Sequence, residues 1–260
     1  MDLPAYVINL DRSPERLCAV TNAFGKFGIQ LERFAGIDAL NNSEVVEQAL
    51  NRIAFKCYMR RDAAQGEVGC ALSHFALWDS LTHIGHEFIL VVEDDAVPTE
   101  HVLRIGELAA ALPDDWEILL LFSGGKVPLC SIRAGSLTIK RYLKPGYYAV
   151  GYLVHRRILK HRALWQREQP VRFALDAWRF WTWMYGFSIY TVNEPVVFGA
   201  PGAVSTMDAS GSAPRVAPVR PGFLILLRAF ALRLVLYPLA LWHSGRAWFY
   251  LNAPGPIKRR

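Results

Sequence analysis

Acidic side chains are absent from the last fifth of this 260-residue chain. No Asp or Glu follows Asp208, while residues 209–260 hold eight basic residues, from Arg215 to Arg260. The remaining 1–208 carries 21 basic against 23 acidic residues, net −2, so the formal charge of +6 resides in the C-terminal segment. That confinement argues against a nucleic-acid-binding face spread over the body of the protein. Cysteine is scarce: Cys18, Cys57, Cys70 and Cys130 are widely spaced and form no CxxC pair. A zinc cage or disulfide framework is therefore not expected, and a reducing cytoplasm suits the chain. No basic stretch followed by an apolar run and a small-residue cleavage site opens the sequence, so no secretory signal is expected. Internal repeats and long low-complexity tracts are also missing. With 52% hydrophobic and 12% aromatic residues, material for a core is ample and disorder is not expected over most of the length.

Short apolar runs alternate with helical patterns through the first half. Tyr6 to Leu10 reads as a buried strand. Ser13-Pro14-Glu15-Arg16 reads as a helix start, with Ser13 as cap and Pro14 in the first turn, the helix running to about Phe27. Leu31 to Phe34 is a second strand, 45–55 a helix, and Gly66 to Thr82 a further helix. Phe88-Ile89-Leu90-Val91-Val92 is a continuous apolar strand that stops at Glu93-Asp94-Asp95, and Trp116 to Phe122 is another. Residues 145–160 read as strand then helix. The alternation predicts an α/β domain over 1–202 with a mostly parallel twisted sheet and its ligand crevice at the carboxyl ends of the strands. Residues 203–222, rich in Ala, Ser, Pro, Gly and Arg, read as a linker, and 223–260 as a basic, apolar amphipathic helical tail.

Three adjacent acids after a buried strand repel one another and resist desolvation. A divalent cation such as Mn²⁺ or Mg²⁺ removes that cost, because hard cations take carboxylate oxygens together with substrate phosphates. Alternation along the chain lets Glu93 and Asp95 share a face while Asp94 points elsewhere. From the triplet alone, a solvated acidic turn is an equal alternative.

Three segments, 7–16 (VINLDRSPER), 66–74 (GEVGCALSH) and 89–96 (ILVVEDDA), together resemble glycosyltransferase family 25, which includes bacterial lipooligosaccharide and collagen galactosyltransferases. The resemblance runs in order over roughly residues 5–200. It implies a GT-A-like nucleotide-sugar fold in which the acidic triplet stands in for a DxD motif. Asp95 is then the expected metal ligand, Glu93 faces the ribose or the metal, and Asp94 supports the turn.

On the same resemblance, Asn9, Arg12 and Arg16 follow the first strand, where a nucleotide site begins. Arg12 and Arg16, four apart, share a helix face and could reach phosphates with forked donors; a solvated helix face is the alternative. Gly36 permits close backbone approach and Asp38 could accept from uracil or ribose; an ordinary Gly-Asp turn is an equal alternative. Gly66 brings a helix start toward the donor, with Ser73 and His74 inside that helix; His74 is as readily structural, and metal ligation by it is not expected. Tyr147 and Tyr148 are candidates for an acceptor wall, by stacking on a sugar face, or for core packing. Asp176 is the candidate base that takes the acceptor proton, or a buried helix cap.

The implied reaction moves a hexose from a UDP-sugar, UDP-galactose foremost, with inversion to a β linkage. The acceptor is a hydroxyl of a lipooligosaccharide or similar lipid-anchored glycan. Phe223 to Trp242 is long enough to span a bilayer. Arg228 and Arg233 would each cost about 2.5–3.5 kcal/mol near its centre, which favours a helix lying on an anionic membrane at the cytoplasmic face. Packing on the catalytic domain is the alternative. A metal-dependent phosphohydrolase and a non-catalytic nucleotide-sugar- or glycan-binding protein are the competing functions.

Overall fold

The structure is a computed structural model that describes residues 3–122, 124–200, and, in the C-terminal segment, 234–236, 238–239 and 242–243. Among the described residues up to 200, ten strands and six α-helices follow in the order β1 (Ala5–Asn9), α1 (Pro14–Gly25), β2 (Glu32–Ala35), α2 (Ser43–Ala49), α3 (Arg52–Met59), α4 (Gln65–Ser80), β3 (Phe88–Glu93), β4 (Ala96–Pro98), α5 (Ile105–Ala111), β5 (Ile118–Leu120), β6 (Gly125–Ala134), β7 (Leu137–Pro145), β8 (Gly151–His155), α6 (Trp178–Tyr185), β9 (Ile189–Val192) and β10 (Val197–Gly199). Eight strands form one sheet in the order β2-β1-β3-β8-β5-β9-β7-β6, and β4 pairs with β10.

The sheet is mixed rather than mostly parallel. β2, β1 and β3 are parallel neighbours, as are β5 and β9. β8 runs antiparallel between β3 and β5, and β6, β7 and β9 are joined by antiparallel pairings. Parallel neighbours need a crossover of a dozen or more residues. Only two residues separate β6 from β7, which allows a hairpin and nothing else. Expecting a helix between every pair of strands overlooked this stretch.

Continuous apolar runs arise because the central strands are covered on both faces. Along β3, Ile89 and Val91 enter one core with Phe75, Trp78 and Trp181, whereas Leu90 and Val92 enter the other with Phe24, Ile105 and Leu108. Each fully buried aliphatic side chain contributes about 1.5–3 kcal/mol. The helix expected over 45–55 is split at Leu50-Asn51. There Val171 pairs with Leu50, and Asn51 Oδ1 accepts from Ala54 N at 2.9 Å, capping α3. Pro14 does begin α1, but the Ser13 side chain makes no capping bond. The expected linker lies outside the described residues, as does most of the expected tail, and among the described residues no helix is long and apolar enough to cross a membrane.

Candidate functional site

β1, β2 and β3 end side by side, and the loops after them meet the first turns of α4 around a cavity of about 100 Å³. Asn9, Arg12, Arg16, Asp38, Gly66, Ser73, His74, Glu93, Asp94 and Asp95 all line it. Gly36 lies just outside. Its N–H donates to Asn9 O at 2.9 Å, and an added Cβ would stand 3.1 Å from Leu10.

Much of this lining holds the site together. Asn9 is buried, and its amide donates to Ser13 O at 2.9 Å and to Asp94 Oδ2 at 2.8 Å. Arg33, which sequence reasoning missed, donates to both Asn9 oxygens at 3.2 Å. Arg16 Nη2 lies 2.6 Å from Asp94 Oδ1 and 3.5 Å from Asp95 Oδ2. Asp94 is thus engaged on both oxygens and braces the turn. Ser73 accepts from Ile37 N at 2.8 Å and donates to Gly69 O at 2.7 Å, tying α4 to the loop after β2. Asp38 accepts from Leu40 N, Asn41 and Arg12 Nε, the last at 2.9 Å. Arg12 therefore extends over the cavity from the α1 side.

Asp95 differs from Asp94. Its Oδ1 is buried without a hydrogen-bond partner. Burial, reinforced by the charge of Glu93, pushes its carboxyl up to about 6. An orphaned carboxylate oxygen beside a second carboxylate fits a hard divalent cation, and Asp95 and Glu93 are the residues that would hold it. At the floor, Cys70, His74 and Glu93 bring three potential ligand atoms within 4.8 Å of one another.

Tyr147, Tyr148 and Asp176 do not line this cavity; they group at the start of β8, next to the end of β3. Because β8 enters antiparallel beside β3, its leading residues reach the sheet end where Glu93 lies, and Glu93 N donates to Val150 O at 3.0 Å. Tyr148 adopts a left-handed φ of 84°, which is costly for a non-glycine residue. Trp178 Nε1 donates to its carbonyl at 2.9 Å, and its N–H donates to Asp176 Oδ2 at 3.3 Å. Both tyrosine rings are exposed, Tyr147 under the Arg179 guanidinium and Tyr148 against Phe122. The core-packing alternative does not describe them. Burial pushes the Asp176 carboxyl up to about 6, against the bond from Tyr148 N, while Glu93 and Glu67 push it further in the same direction.

Fold and cavity define an α/β domain of the kind that takes its ligand at the carboxyl ends of parallel strands, here with arginines and carboxylates around one cleft. Residues 2–160 match the model of glycosyltransferase family 25 (LPS biosynthesis protein), and the chain belongs to that family. It is similar to a glycosyltransferase 25 family member of Aedes aegypti, at 34% identity over 35% of this chain and 16% of that protein. It also resembles the lacto-N-neotetraose biosynthesis glycosyltransferase LgtB of Neisseria meningitidis serogroup B, at 33% over 35% of this chain and 32% of LgtB. A third relative is procollagen galactosyltransferase 2 of Mus musculus, at 28% over 45% of this chain and 20% of that protein. The match thus spans a third or less of each of these relatives.

Proposed function

We propose that the protein transfers a hexose, galactose from UDP-galactose, with inversion to a hydroxyl of a glycan such as lipooligosaccharide at the cytoplasmic face of a membrane. The observation that carries this reading is the single cleft in which Arg12, Arg16, Glu93 and Asp95 converge at the ends of three parallel strands. The names of two relatives, a lacto-N-neotetraose glycosyltransferase and a procollagen galactosyltransferase, support the donor and the acceptor class.

In this reading Asp95 and Glu93 would hold Mn²⁺ or Mg²⁺, and the ion would supply charge neutralisation for the departing diphosphate. Arg12 and Arg16 orient the donor phosphates by charge-assisted hydrogen bonds. Asp176 accepts the proton of the acceptor hydroxyl as its oxygen bonds to the anomeric carbon and the bond from that carbon to the diphosphate oxygen breaks, releasing UDP. Tyr147 and Tyr148 offer ring faces to the acceptor. The C-terminal segment, with Leu234, Val235 and Trp242 exposed and eight basic residues in 209–260, fits an anionic membrane surface.

UDP release is to be measured with Mn²⁺, UDP-galactose, UDP-glucose and their N-acetyl forms, and a panel of glycan acceptors. Release with UDP-galactose that needs both acceptor and Mn²⁺, and falls at least a hundredfold in Asp95→Ala, is expected. Donor binding without turnover across the panel would instead favour a non-catalytic binder. Metal-dependent activity surviving in Asp95→Ala would remove that residue from the metal site.

A further inference from the structure

Cys70 and His74 stand four residues apart on α4, so both reach the cavity floor from one helix face, and Glu93 arrives from the end of β3. We propose that Cys70 Sγ, His74 Nε2 and Glu93 Oε1 form a three-ligand site for a thiophilic divalent cation of the Zn²⁺ class, which shares Glu93 with the hard-cation pair but does not use Asp95.

The spacing is what singles out this trio. Glu93 Oε1 lies 3.5 Å from His74 Nε2 and accepts a hydrogen bond from the Cys70 thiol at 3.7 Å. Ligands on a tetrahedral zinc ion, with Zn–S about 2.3 Å and Zn–N and Zn–O about 2.0–2.2 Å, stand about 3.3–3.6 Å apart. Both measured separations fall within a few tenths of an ångström of those edges. The His74–Glu93 distance is also about 0.6 Å longer than a charge-assisted hydrogen bond. His74 is 1% exposed, and its Nε2 has no hydrogen-bond partner although it is aimed at the carboxylate.

The ring is held in that direction from behind. His74 Nδ1 lies 2.6 Å from the Tyr152 hydroxyl, which accepts from Trp78 Nε1 at 2.9 Å. A proton on Nδ1, given to the tyrosine oxygen, leaves the Nε2 lone pair to the cation; metal-binding histidines are oriented by such outer partners. Thiolate, imidazole and carboxylate together suit zinc rather than magnesium or manganese. Three protein ligands leave a fourth position open to the cavity. As the S–metal bond forms, the Cys70 S–H bond breaks and its proton passes to solvent.

The test is titration of the full-length protein with Co²⁺ in the absence of donor and acceptor, followed by Zn²⁺ competition. Expected are tetrahedral d–d bands, a thiolate-to-cobalt charge-transfer band, one proton released per ion, and displacement by Zn²⁺. Cys70→Ser should abolish the charge-transfer band. Tyr152→Phe, which keeps all three ligands, should weaken Zn²⁺ binding 10- to 100-fold. Asp95→Asn should leave the spectrum unchanged, so the result is independent of whether the chain transfers sugar. A wild-type spectrum without a thiolate band, or one retained in a folded Cys70→Ser variant, overturns the proposal. If Cys70→Ser does not fold, the wild-type sulfur band alone decides.

Discussion

Asp176 can serve as a base only while ionised, and ionisation is what burial opposes. With its carboxyl pushed up to about 6 from an ordinary 3.8, the folded protein holds a proton between those values that the unfolded chain has lost. Stability therefore falls as pH rises through that window, and at neutral pH the buried carboxylate is a destabilising charge. Asp176→Asn should thus gain about 1–3 kcal/mol at pH 7.5, with the gain gone near pH 4, as read by urea denaturation. The same substitution should lower kcat by about 10²–10⁴, and wild-type activity should rise through about pH 6. Near-wild-type activity in Asp176→Asn would dismiss it as the base. At this scale the triplet and its flanking motifs were legible, because each follows a recognisable strand or opens a helix. Arg33 was not: its partner Asn9 is 24 residues away, and nothing near Arg33 in the sequence marks the contact. Tyr152 lay unremarked in the strand read over 145–160, since its hydroxyl finds His74 only through the pairing of β8 with β3. Metal ligation by His74 was not expected from the sequence, because Glu93 joins Cys70 and His74 only in the fold.

Helix α4 owes its closeness to the site to Gly69. A Cβ there would meet Ile37 O at 2.6 Å and the Ala39 Cβ at 2.9 Å, so the loop bearing Asp38 would have to retreat. Replacing a mid-helix glycine by alanine gains about 1 kcal/mol of helix propensity, whereas forcing packed backbone apart costs about 1–3 kcal/mol. Gly69→Ala should therefore be destabilised or near neutral by calorimetry yet raise the KM for the donor several-fold. Unchanged KM would mean that the loop's position does not govern binding. The strands β1, β3, β5 and β8 were visible as apolar runs because neighbours cover both their faces. The β6–β7 hairpin was not, since β6 is largely exposed and carries no such run. In β7, buried Leu137, Ile139 and Arg141 alternate with half-buried Thr138, Lys140 and Tyr142. Reading that alternation required accepting a buried arginine, which Tyr190 covers from 5.3 Å.

At the scale of the whole molecule, the described residues of the C-terminal segment touch the α/β domain at Leu236 and His243. Leu236 is buried in the core beside α6, and the His243 ring lies where a Cβ on Gly186 would stand, while Leu234, Val235 and Trp242 remain exposed. Packing and membrane contact thus need not exclude each other, and deleting the tail would confound them. Leu236→Ala should cost about 2–5 kcal/mol in thermal or urea unfolding. Replacing Leu234, Val235 and Trp242 together by Ser should leave stability nearly unchanged but lower binding to vesicles containing anionic lipid at least tenfold. Equal vesicle binding by both variants and wild type would refute the membrane role. Further inside, Trp78 touches Trp165 and Trp181 with ring centroids 5.4 and 5.8 Å apart, and its indole N–H ends on the tyrosine that holds His74. A change at the cavity floor should therefore alter the near-ultraviolet dichroism of this indole cluster, superimposed on the signals of the chain's other tryptophans.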